Sequence, residues 1–310
     1  MTGRHGIAVA AGAAALAGGM LAYGALVERN AFTVRRETVA LLPPGSPSLR
    51  ILHLSDLHLA PWQEHRIDWL RSLAELEPDL VVDTGDNLGH RDAVPAVGRA
   101  LEVFAGVPGV YVHGSNDYFA PKPKSWLTYF SGPSRQHREP EHLDTAALEA
   151  VYERLGWVGL NNRAALLPVG DRLIEFVGLD DPHLRRDRLD LVPSALEALR
   201  EGDDEGPETL SIGVVHAPYV RALDSLTTNG SQLILAGHTH GGQVCAPGVG
   251  ALVTNCDLPR SMARGMHVWT RAQHAAYLNV SAGVGTSIYA PVRFACPPEA
   301  VVIDLVPRID

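Results

Sequence analysis

Five clusters of Asp, His and Asn residues stand directly after short apolar runs of the sequence. Their side chains offer carboxylate, imidazole and amide groups, a ligand set that suits Mn, Fe, Zn or Co better than Ca or Cu(I). Open α/β sheets place their sites at the carboxyl ends of strands, so the clusters can converge if each apolar run is a strand. They are Ser55-Asp56-Leu57-His58, Asp83-Thr84-Gly85-Asp86-Asn87, Gly114-Ser115-Asn116-Asp117, Val215-His216-Ala217-Pro218 and Gly237-His238-Thr239-His240-Gly241-Gly242.

Two of these clusters place paired ligands on one side of an extended chain. Asp56-x-His58 and His238-x-His240 have the two-residue spacing at which extended backbone points side chains the same way. Singly, each pattern has an ordinary explanation: D-x-H is a common chance match, His pairs occur on solvated strands, and His216 before Ala-Pro is typical of a buried core histidine. Turns alone do not account for all five clusters in this order, so the sequence predicts a metal site.

The order of the motifs resembles that of the calcineurin-like metallophosphoesterase superfamily, whose pattern is D-x-H, G-D, G-N-H-[DE], a lone His and G-H-x-H. The resemblance runs from Asp56 to about residue 305. The stretches I-L-H-L-S-D-L-H-L and G-H-T-H-G-G-Q are most similar to the membrane-associated bacterial branch, which includes phosphodiesterases and lipid-nucleotide pyrophosphatases. The implied fold is α/β, a four-layered α/β/β/α sandwich.

The resemblance also implies a centre of two divalent metal ions, Mn, Fe, Zn or Co. A hydroxide that bridges the ions is expected to attack phosphorus in line. Asp86 is expected to bridge the two ions. The first ion is expected on Asp56, His58 and His240, and the second on Asn116, His216 and His238.

One block departs from the family pattern, because G-S-N-D at 114–117 stands where the family has G-N-H-[DE]. Without a gap, Ser115 falls on the amide ligand; with a shift of one residue, Asn116 keeps that role and Asp117 replaces the His. Chemistry favours the shift, since an amide oxygen binds cations better than a neutral hydroxyl. Either alignment lacks the phosphate-facing His, and His113 or Asp117 is predicted to substitute for it in catalysis.

Two further residues are predicted to support the chemistry. Arg293, in the closing P-V-R, is expected to clamp the substrate phosphate, because a guanidinium group forks onto phosphate oxygens. The alternative for Arg293 is a surface salt bridge. Asp83 is expected to orient one of the ligand histidines.

The sequence around these clusters alternates between strand and helix patterns, which predicts a layered α/β sandwich. Expected strands are 31–42, 49–54, 80–82, 110–112, 173–177, 210–215, 232–236, 277–281 and 300–305, and expected helices are 65–77, 94–105, 144–155, 190–200 and 218–227. The predicted organisation is an N-terminal segment at 1–30, a linker and edge strand at 31–48, and a phosphoesterase domain at 49–310 with an inserted loop at 119–143.

The N-terminal segment 7–27 carries no charged residue and is close to the ~20 apolar residues that a helix needs to cross a membrane. We predict a retained single-pass anchor and therefore a membrane-associated protein. Two alternatives stay open, a cleaved signal peptide and a helix packed on the soluble domain. More arginines follow the segment than precede it, which favours a cytoplasmic domain, but the side of the membrane is unresolved.

Composition excludes several classes of protein. The chain has 26 Lys+Arg against 35 Asp+Glu, a net charge of −9, and only 6% aromatic residues. Nucleic-acid binding is therefore not expected, because it needs clustered basic groups and stacking platforms. Three scattered cysteines do not make a disulfide scaffold.

The predicted function is hydrolysis of phosphodiester or pyrophosphate bonds in a small-molecule or lipid-linked substrate. The aromatic and cationic residues of 119–143 favour a lid over a lipid-like substrate; a loop packed on the sandwich edge is the alternative. For the whole chain, the missing His favours a catalytically degenerate metal-binding scaffold as the second hypothesis. A soluble nucleotide phosphodiesterase is a third, and the oligomeric state is left open.

Overall fold

The computed structural model describes residues 2–122, 141–201 and 209–309. Most of the predicted inserted loop at 119–143 lies outside the described residues. The strands are β1 (Thr33–Leu42), β2 (Leu49–Leu54), β3 (Leu80–Asp83), β4 (Gly109–Tyr111), β5 (Val158–Gly159), β6 (Arg163–Val169), β7 (Arg172–Leu179), β8 (Ser211–Val215), β9 (Leu233–Ala236), β10 (Cys245–Ala246), β11 (Gly250–Ala251), β12 (Gly265–Arg271), β13 (His274–Val280) and β14 (Glu299–Pro307). The helices are α1 (Thr2–Leu26), α2 (Glu64–Ser72), α3 (Val94–Leu101), α4 (Ser115–Tyr118), α5 (Thr145–Leu155), α6 (Val192–Arg200) and α7 (Val220–Thr228).

Two six-stranded sheets and one two-stranded ribbon are formed within the described ranges. The strand order is β1-β14-β2-β3-β4-β5 in the first sheet and β12-β13-β9-β8-β7-β6 in the second. The strands β2, β3 and β4 run parallel to one another, as do β7, β8 and β9. Their carboxyl ends therefore lie along one edge of each sheet, where the predicted ligand clusters begin.

Three apolar clusters hold the layers together. The first packs α2, α3 and α5 on the first sheet, the second fills the space between the sheets, and the third packs α6 and α7 on the second sheet. Alternation along β2 shows how one strand serves two layers: Leu52 and Leu54 belong to the first cluster and Ile51 to the second. A strand buried on both faces is apolar along most of its length. The predicted mixed α/β architecture is confirmed.

The last turn of α1 lies against the sandwich. The carbonyl O of Gly24 accepts a hydrogen bond from Arg293 N at 3.2 Å, and Glu28 Oε1 accepts one from Cys296 N at 2.6 Å. A Cβ at position 24 would lie 2.5 Å from Arg293 O, so this approach requires glycine. These are contacts of the kind expected for the alternative in which the helix packs on the domain.

The predicted membrane anchor at 7–27 is not supported. Residues 7–26 do lie in a helix, α1. However, no helix in the described part of the chain combines the length and the apolar character that crossing a membrane requires. The physical reason lies in the composition of the segment, which is rich in Ala and Gly. These residues bury little apolar area compared with Leu or Phe.

Candidate metal centre

Two overlapping groups of Asp and His side chains lie at the carboxyl ends of the central strands. Asp56, His58 and His240 form one group and Asp56, Asp86 and His216 form the other, with the ligand atoms of each group within 4.8 Å of one another. The carboxylate of Asp86 lies between the two sides. Its Oδ2 is 3.6 Å from His58 Nε2, and its Oδ1 is 3.6 Å from His216 Nε2. Side chains from both sheets therefore meet at one place.

On the first-ion side, which is Asp56, His58 and His240, three ligand atoms face one another. The Nε2 atoms of His58 and His240 are 3.2 Å apart, and His240 Nε2 is 3.5 Å from Asp56 Oδ1. Asp56 Oδ1 is buried and has no hydrogen-bond partner among the described residues. A buried carboxylate oxygen without a partner is costly unless a cation compensates it. The donor set and the unpartnered oxygen therefore fit a divalent cation.

On the second-ion side, which is Asn116, His216 and His238, backbone carbonyls fix the imidazole tautomers. His216 Nδ1 is 2.7 Å from the carbonyl O of Thr84 and must donate to it, which leaves Nε2 unprotonated in the neutral ring. His238 Nε2 is 3.3 Å from both the carbonyl O and the amide Nδ2 of Asn255. The tautomer that donates to this carbonyl leaves His238 Nδ1, 3.3 Å from His216 Nε2, for a ligand.

The main chain of Asn116 also takes part in the site. Its N–H donates to Asp86 Oδ1 at 2.7 Å, which holds the carboxylate that lies between the two sides. Its side-chain Oδ1 is 3.5 Å from Ser115 Oγ, so the two alternative ligands of the G-S-N-D block lie side by side at the start of α4. The choice between Ser115 and Asn116 stays a prediction.

Left-handed backbone conformations are concentrated at the predicted ligands. This conformation costs an L-residue about 1 kcal/mol or more, although Asp and His adopt it more readily than bulkier residues. Its repetition at one site is characteristic of a backbone held for function rather than for stability. The φ angles are 49° at Asp56, 40° at His58, 59° at Asp86, 67° at His238 and 50° at His240.

Glycines make room for the ligands at two of the strand ends. A Cβ at position 114 would lie 2.3 Å from Asp86 Oδ1 and 2.7 Å from His216 Nε2. A Cβ at position 237 would lie 1.8 Å from Ser55 Oγ and 2.6 Å from Asp56 Oδ2. Any larger residue at either position would displace a predicted ligand.

The electrostatics of the centre are dominated by Asp86. Burial opposes the charge of Asp86, yet the charge and hydrogen bond of His216 hold the pKa of Asp86 well below its usual range. Burial likewise opposes a charged His216, but Asp86 raises the pKa of His216 well above its ordinary value. Burial lowers the pKa of His58 and His238, and that of His240 to about 4. Three rings are thus neutral, the form that binds metal ions.

Asp117 contacts main-chain groups of the site. Its Oδ2 accepts hydrogen bonds from the N–H groups of Asp86 and Gly114, and its Oδ1 accepts one from Asn87, at 2.7–2.9 Å. Burial raises its pKa. These contacts position the turn that carries Asp86, so Asp117 acts in this arrangement as a positioning residue. Its direct catalytic role stays a prediction.

His113 and Arg293 also contact protein groups. His113 Nε2 is 3.1 Å from Glu149 Oε1 on α5. Arg293 is fully buried. Its Nη2 donates to the carbonyls of Ala282, Gly283 and Gly285 at 2.6–2.9 Å. Arg293 therefore holds the loop after β13 together through buried hydrogen bonds to its carbonyls, and these contacts are not those of a surface salt bridge. The predicted catalytic roles of His113 and Arg293 stay predictions.

Asp83 does not contact a ligand histidine. Its carboxylate accepts hydrogen bonds from Gly85 N at 2.9 Å and from Asn87 Nδ2 and Tyr152 Oη at 3.2 Å each. The expectation that it orients a ligand is therefore wrong. The group that orients His216 is the neighbouring carbonyl of Thr84, which no side-chain motif could have revealed.

Sequence reasoning missed a sixth cluster, which follows β7. Asp181 is fully buried, and its Oδ1 accepts a hydrogen bond from His183 N at 2.8 Å. The ring of His183 lies 4.7 Å from the ring of His238, and its Nδ1 is 3.1 Å from Tyr219 Oη. The signal was present in the sequence, because Asp181-x-His183 repeats the D-x-H spacing of Asp56 and His58 after an apolar strand.

Comparison with known proteins identifies the family. Residues 49–242 match the calcineurin-like phosphoesterase family, which is more than half of the chain. The chain belongs to this family and is a metallophosphoesterase, a hydrolase of phosphoric esters.

Three relatives and two solved structures illustrate the similarity. Two of the relatives come from Bacillus subtilis (strain 168). The first, "Uncharacterized protein YpbG", is 29% identical over 266 residues, 84% of this chain and 82% of the relative. "Uncharacterized metallophosphoesterase YkuE" is 26% identical over 309 residues, 96% of this chain and 93% of the relative. The "Transmembrane protein with metallophosphoesterase domain" of Bos taurus is 25% identical over 229 residues, 73% of this chain but only 48% of the relative.

Among solved structures, a dimetal phosphatase from Danio rerio has a TM-score of 0.44 at 12% identity and covers 77% of this chain and 88% of its own. The NAD nucleotidase of Haemophilus influenzae has a TM-score of 0.46 at 12% identity, and the match covers 77% of this chain and 46% of that one.

Proposed function

We propose that this chain is a binuclear metal-dependent enzyme that hydrolyses phosphodiester or pyrophosphate bonds. The observation that carries the proposal is the position of Asp86, whose two carboxylate oxygens are each 3.6 Å from a ring nitrogen of a different side. A carboxylate with one oxygen directed to each of two His groups is suited to bridging two cations.

The residues of the chain have distinct parts in this proposal. Asp56, His58 and His240 would hold one ion, Asn116, His216 and His238 would hold the other, and Asp86 would contact both. Bound ions supply Lewis-acid stabilisation of the phosphoryl oxygens and make water a stronger nucleophile. The chain itself supplies neutral rings, the tautomer of His216 set by Thr84 O, and an Asp86 carboxylate fixed by Asn116 N.

His183 is the proposed replacement for the phosphate-facing His that G-S-N-D lacks. It stands beside the second-ion side, with its ring 4.7 Å from His238 and its Nδ1 3.1 Å from Tyr219 Oη. A group at this position can contact a substrate oxygen or leaving group. We expect His183→Asn to lower kcat by roughly 100-fold, the lower end for a residue in general acid–base catalysis, with metal content unchanged. Loss of a metal ion in this variant would make His183 part of the metal site instead.

The missing His also favours the second candidate, a metal-binding scaffold without hydrolase activity. A chromogenic phosphodiester assay of the full chain with added Mn²⁺ separates the two. The enzyme proposal expects hydrolysis that Asp86→Ala abolishes and that Asp68→Ala, at an exposed position on α2, leaves unchanged. Metal binding without hydrolysis of any diester, monoester or pyrophosphate would establish the scaffold.

A lipid-linked substrate is the finer part of the proposal. It is supported by apolar side chains that α1 exposes, including Leu16, Leu21 and Leu26, and by the similarity to a bovine protein that is named a transmembrane protein. Matched pyrophosphate substrates with and without an acyl or prenyl chain provide the test. A higher kcat/KM for the lipid-linked member supports this part, and equal values exclude it.

A further inference from the structure

A separate cationic cavity lies next to the first-ion side. It has a volume of about 260 Å³ and is lined by residues after α1, at the start of α2 and in the loop after β13. Arg29, Trp62, Gln63 and Arg66 are among its lining residues. None of these four side chains is a predicted metal ligand, so the metal centre leaves the cavity unexplained.

Arg66 is only 6% exposed and is not fully paired. Its Nη1 donates to the carbonyls of Leu57 and His58 at 3.1 Å, which connects the cavity wall to a residue of the metal centre. Its Nε is buried and has no hydrogen-bond partner among the described residues.

Arg29 brings a second guanidinium group to the same cavity. Its Nε is buried without a hydrogen-bond partner in the described ranges. The one carboxylate among the lining residues is that of Glu64, whose Oε1 accepts from Arg99 Nη2 at 2.7 Å. Two guanidinium groups that face one cavity repel each other, and an anion between them removes the repulsion and completes their hydrogen bonds.

We propose that the cavity binds a phosphate group between Arg29 and Arg66. Guanidinium groups match phosphate oxygens in a bidentate way. Gln63 adds a donor, because its Oε1 accepts from Ala60 N and Arg66 Nη1 at 3.0 Å and leaves its amide nitrogen for the ligand. The choice of phosphate over other oxyanions rests on the proposed function. The phosphate belongs either to a second phosphate group of the substrate or to free inorganic phosphate.

The test is a titration of the full-length, zinc-loaded protein with inorganic phosphate, followed by the NMR signals of the arginine Nε–H groups. We expect the signals of Arg29 and Arg66 to shift together and to saturate. Arg29→Gln should weaken the affinity reported by Arg66 on the order of tenfold, as expected for loss of a charged hydrogen-bond partner. Arg36→Gln is the matched control, because it removes the same charge from an exposed position outside the cavity.

Three outcomes overturn the proposal: an Arg66 signal that does not shift, an affinity that is equal in Arg29→Gln and the unsubstituted chain, or an equal loss of affinity in Arg36→Gln. The titration needs no hydrolysis, so its failure is distinguishable from failure of the proposed function, which the phosphodiester assay reports.

Kinetics then identify the source of the phosphate. If Arg29→Gln raises KM for a two-phosphate substrate more than for a one-phosphate diester, the ligand is part of the substrate. If Arg29→Gln leaves both KM values unchanged and weakens inhibition by free phosphate, the ligand is inorganic phosphate. Arg36→Gln should leave all three quantities unchanged.

Discussion

Each histidine has one ring nitrogen that is proposed to bind a metal ion and one that is not. On the second-ion side this other nitrogen lies next to a backbone carbonyl in both histidines, whereas on the first-ion side it has no such partner. Thr84 O lies 2.7 Å from His216 Nδ1 and Asn255 O lies 3.3 Å from His238 Nε2. The Nδ1 atoms of His58 and His240 are buried with no hydrogen-bond partner among the described residues. Partners of this kind fix the tautomer and the ring orientation of a metal ligand. The second-ion side is therefore preorganised. The first-ion side depends on the ion itself and on the stacking of the His58 and His240 rings, whose centroids are 5.0 Å apart.

Removing Asp86 should abolish this difference, because its carboxylate serves both sides. Asp86→Ala should lose both ions and lower activity by more than roughly 100-fold, the upper end for loss of an outer partner of a metal site. Elemental analysis and the phosphodiester assay measure the two effects, with Asp68→Ala as the control. Two ions per chain in Asp86→Ala would show that Asp86 is not the bridge.

The identity of the amide ligand sharpens the description of the second-ion side. If Asn116 Oδ1 is the ligand, Asn116→Ala should weaken the second metal ion by roughly 10–100-fold, while Ser115→Ala changes little. An amide oxygen carries a larger partial negative charge than a neutral hydroxyl, which is the reason for this order. A metal titration of both variants decides between them, and the reverse order would select Ser115.

The two sides should also release their ions at different rates. During treatment with a chelator, we expect the ion of the first-ion side to leave about tenfold faster, since loss of outer partners typically weakens metal binding by 10-fold or more. His240→Ala should remove the fast phase of release and His238→Ala the slow phase. If His238→Ala removed the fast phase instead, the carbonyl partners would not be what stabilises the second-ion side.

Much of the fold could be predicted from the sequence because the central strands are buried on both faces. The run Leu233–Ala236 is continuously apolar, Ile51–Leu54 is apolar except for the buried His53, and both end at a polar cluster. The strands β6 and β12, which were not predicted, lie at the outer edges of the second sheet. Pro168 interrupts the pattern of β6, and an edge strand tolerates proline because one side needs no ladder hydrogen bond.

The candidate site was less predictable in its supporting residues than in its ligands. Asp and His at fixed spacing after strands are visible in sequence, and the structure brings Asp56, Asp86 and His216 together. Thr84 and Asn255 orient histidines through main-chain oxygens, and every residue carries such an oxygen, so no residue type marks the role. Arg293 shows a different difficulty: its residue type predicts a phosphate clamp, which stays a prediction, while its burial and its carbonyl partners could not be read from the sequence.

A third kind of histidine sharpens the comparison, because both of its ring nitrogens are satisfied by protein groups. His53, on β2, accepts at Nδ1 from Asn279 Nδ2 at 2.8 Å and lies at 3.0 Å, through Nε2, from Thr84 Oγ1. Arg35 Nη2 donates to Asn279 Oδ1 at 2.8 Å, which fixes the amide with its NH₂ group toward the ring. A proton added at Nδ1 would therefore face a donor.

Burial, followed by the charge of Arg35, lowers the pKa of His53 to about 3 against a weaker opposing effect of Asp56. The folded state thus favours the neutral ring, so this contribution to the free energy of unfolding is complete above the unfolded pKa, near 6.5. It is lost as the pH falls from about 6.5 toward 3, at up to ~1.4 kcal/mol per pH unit.

The variant His53→Gln keeps a hydrogen-bond acceptor and a donor at this position but has no group that titrates. Urea unfolding at pH 7 and pH 5 in the presence of a chelator should show an acid loss about 2 kcal/mol smaller in this variant. An identical acid loss in both proteins would mean that His53 is already solvated, and that satisfied ring nitrogens do not distinguish a core histidine from a metal ligand.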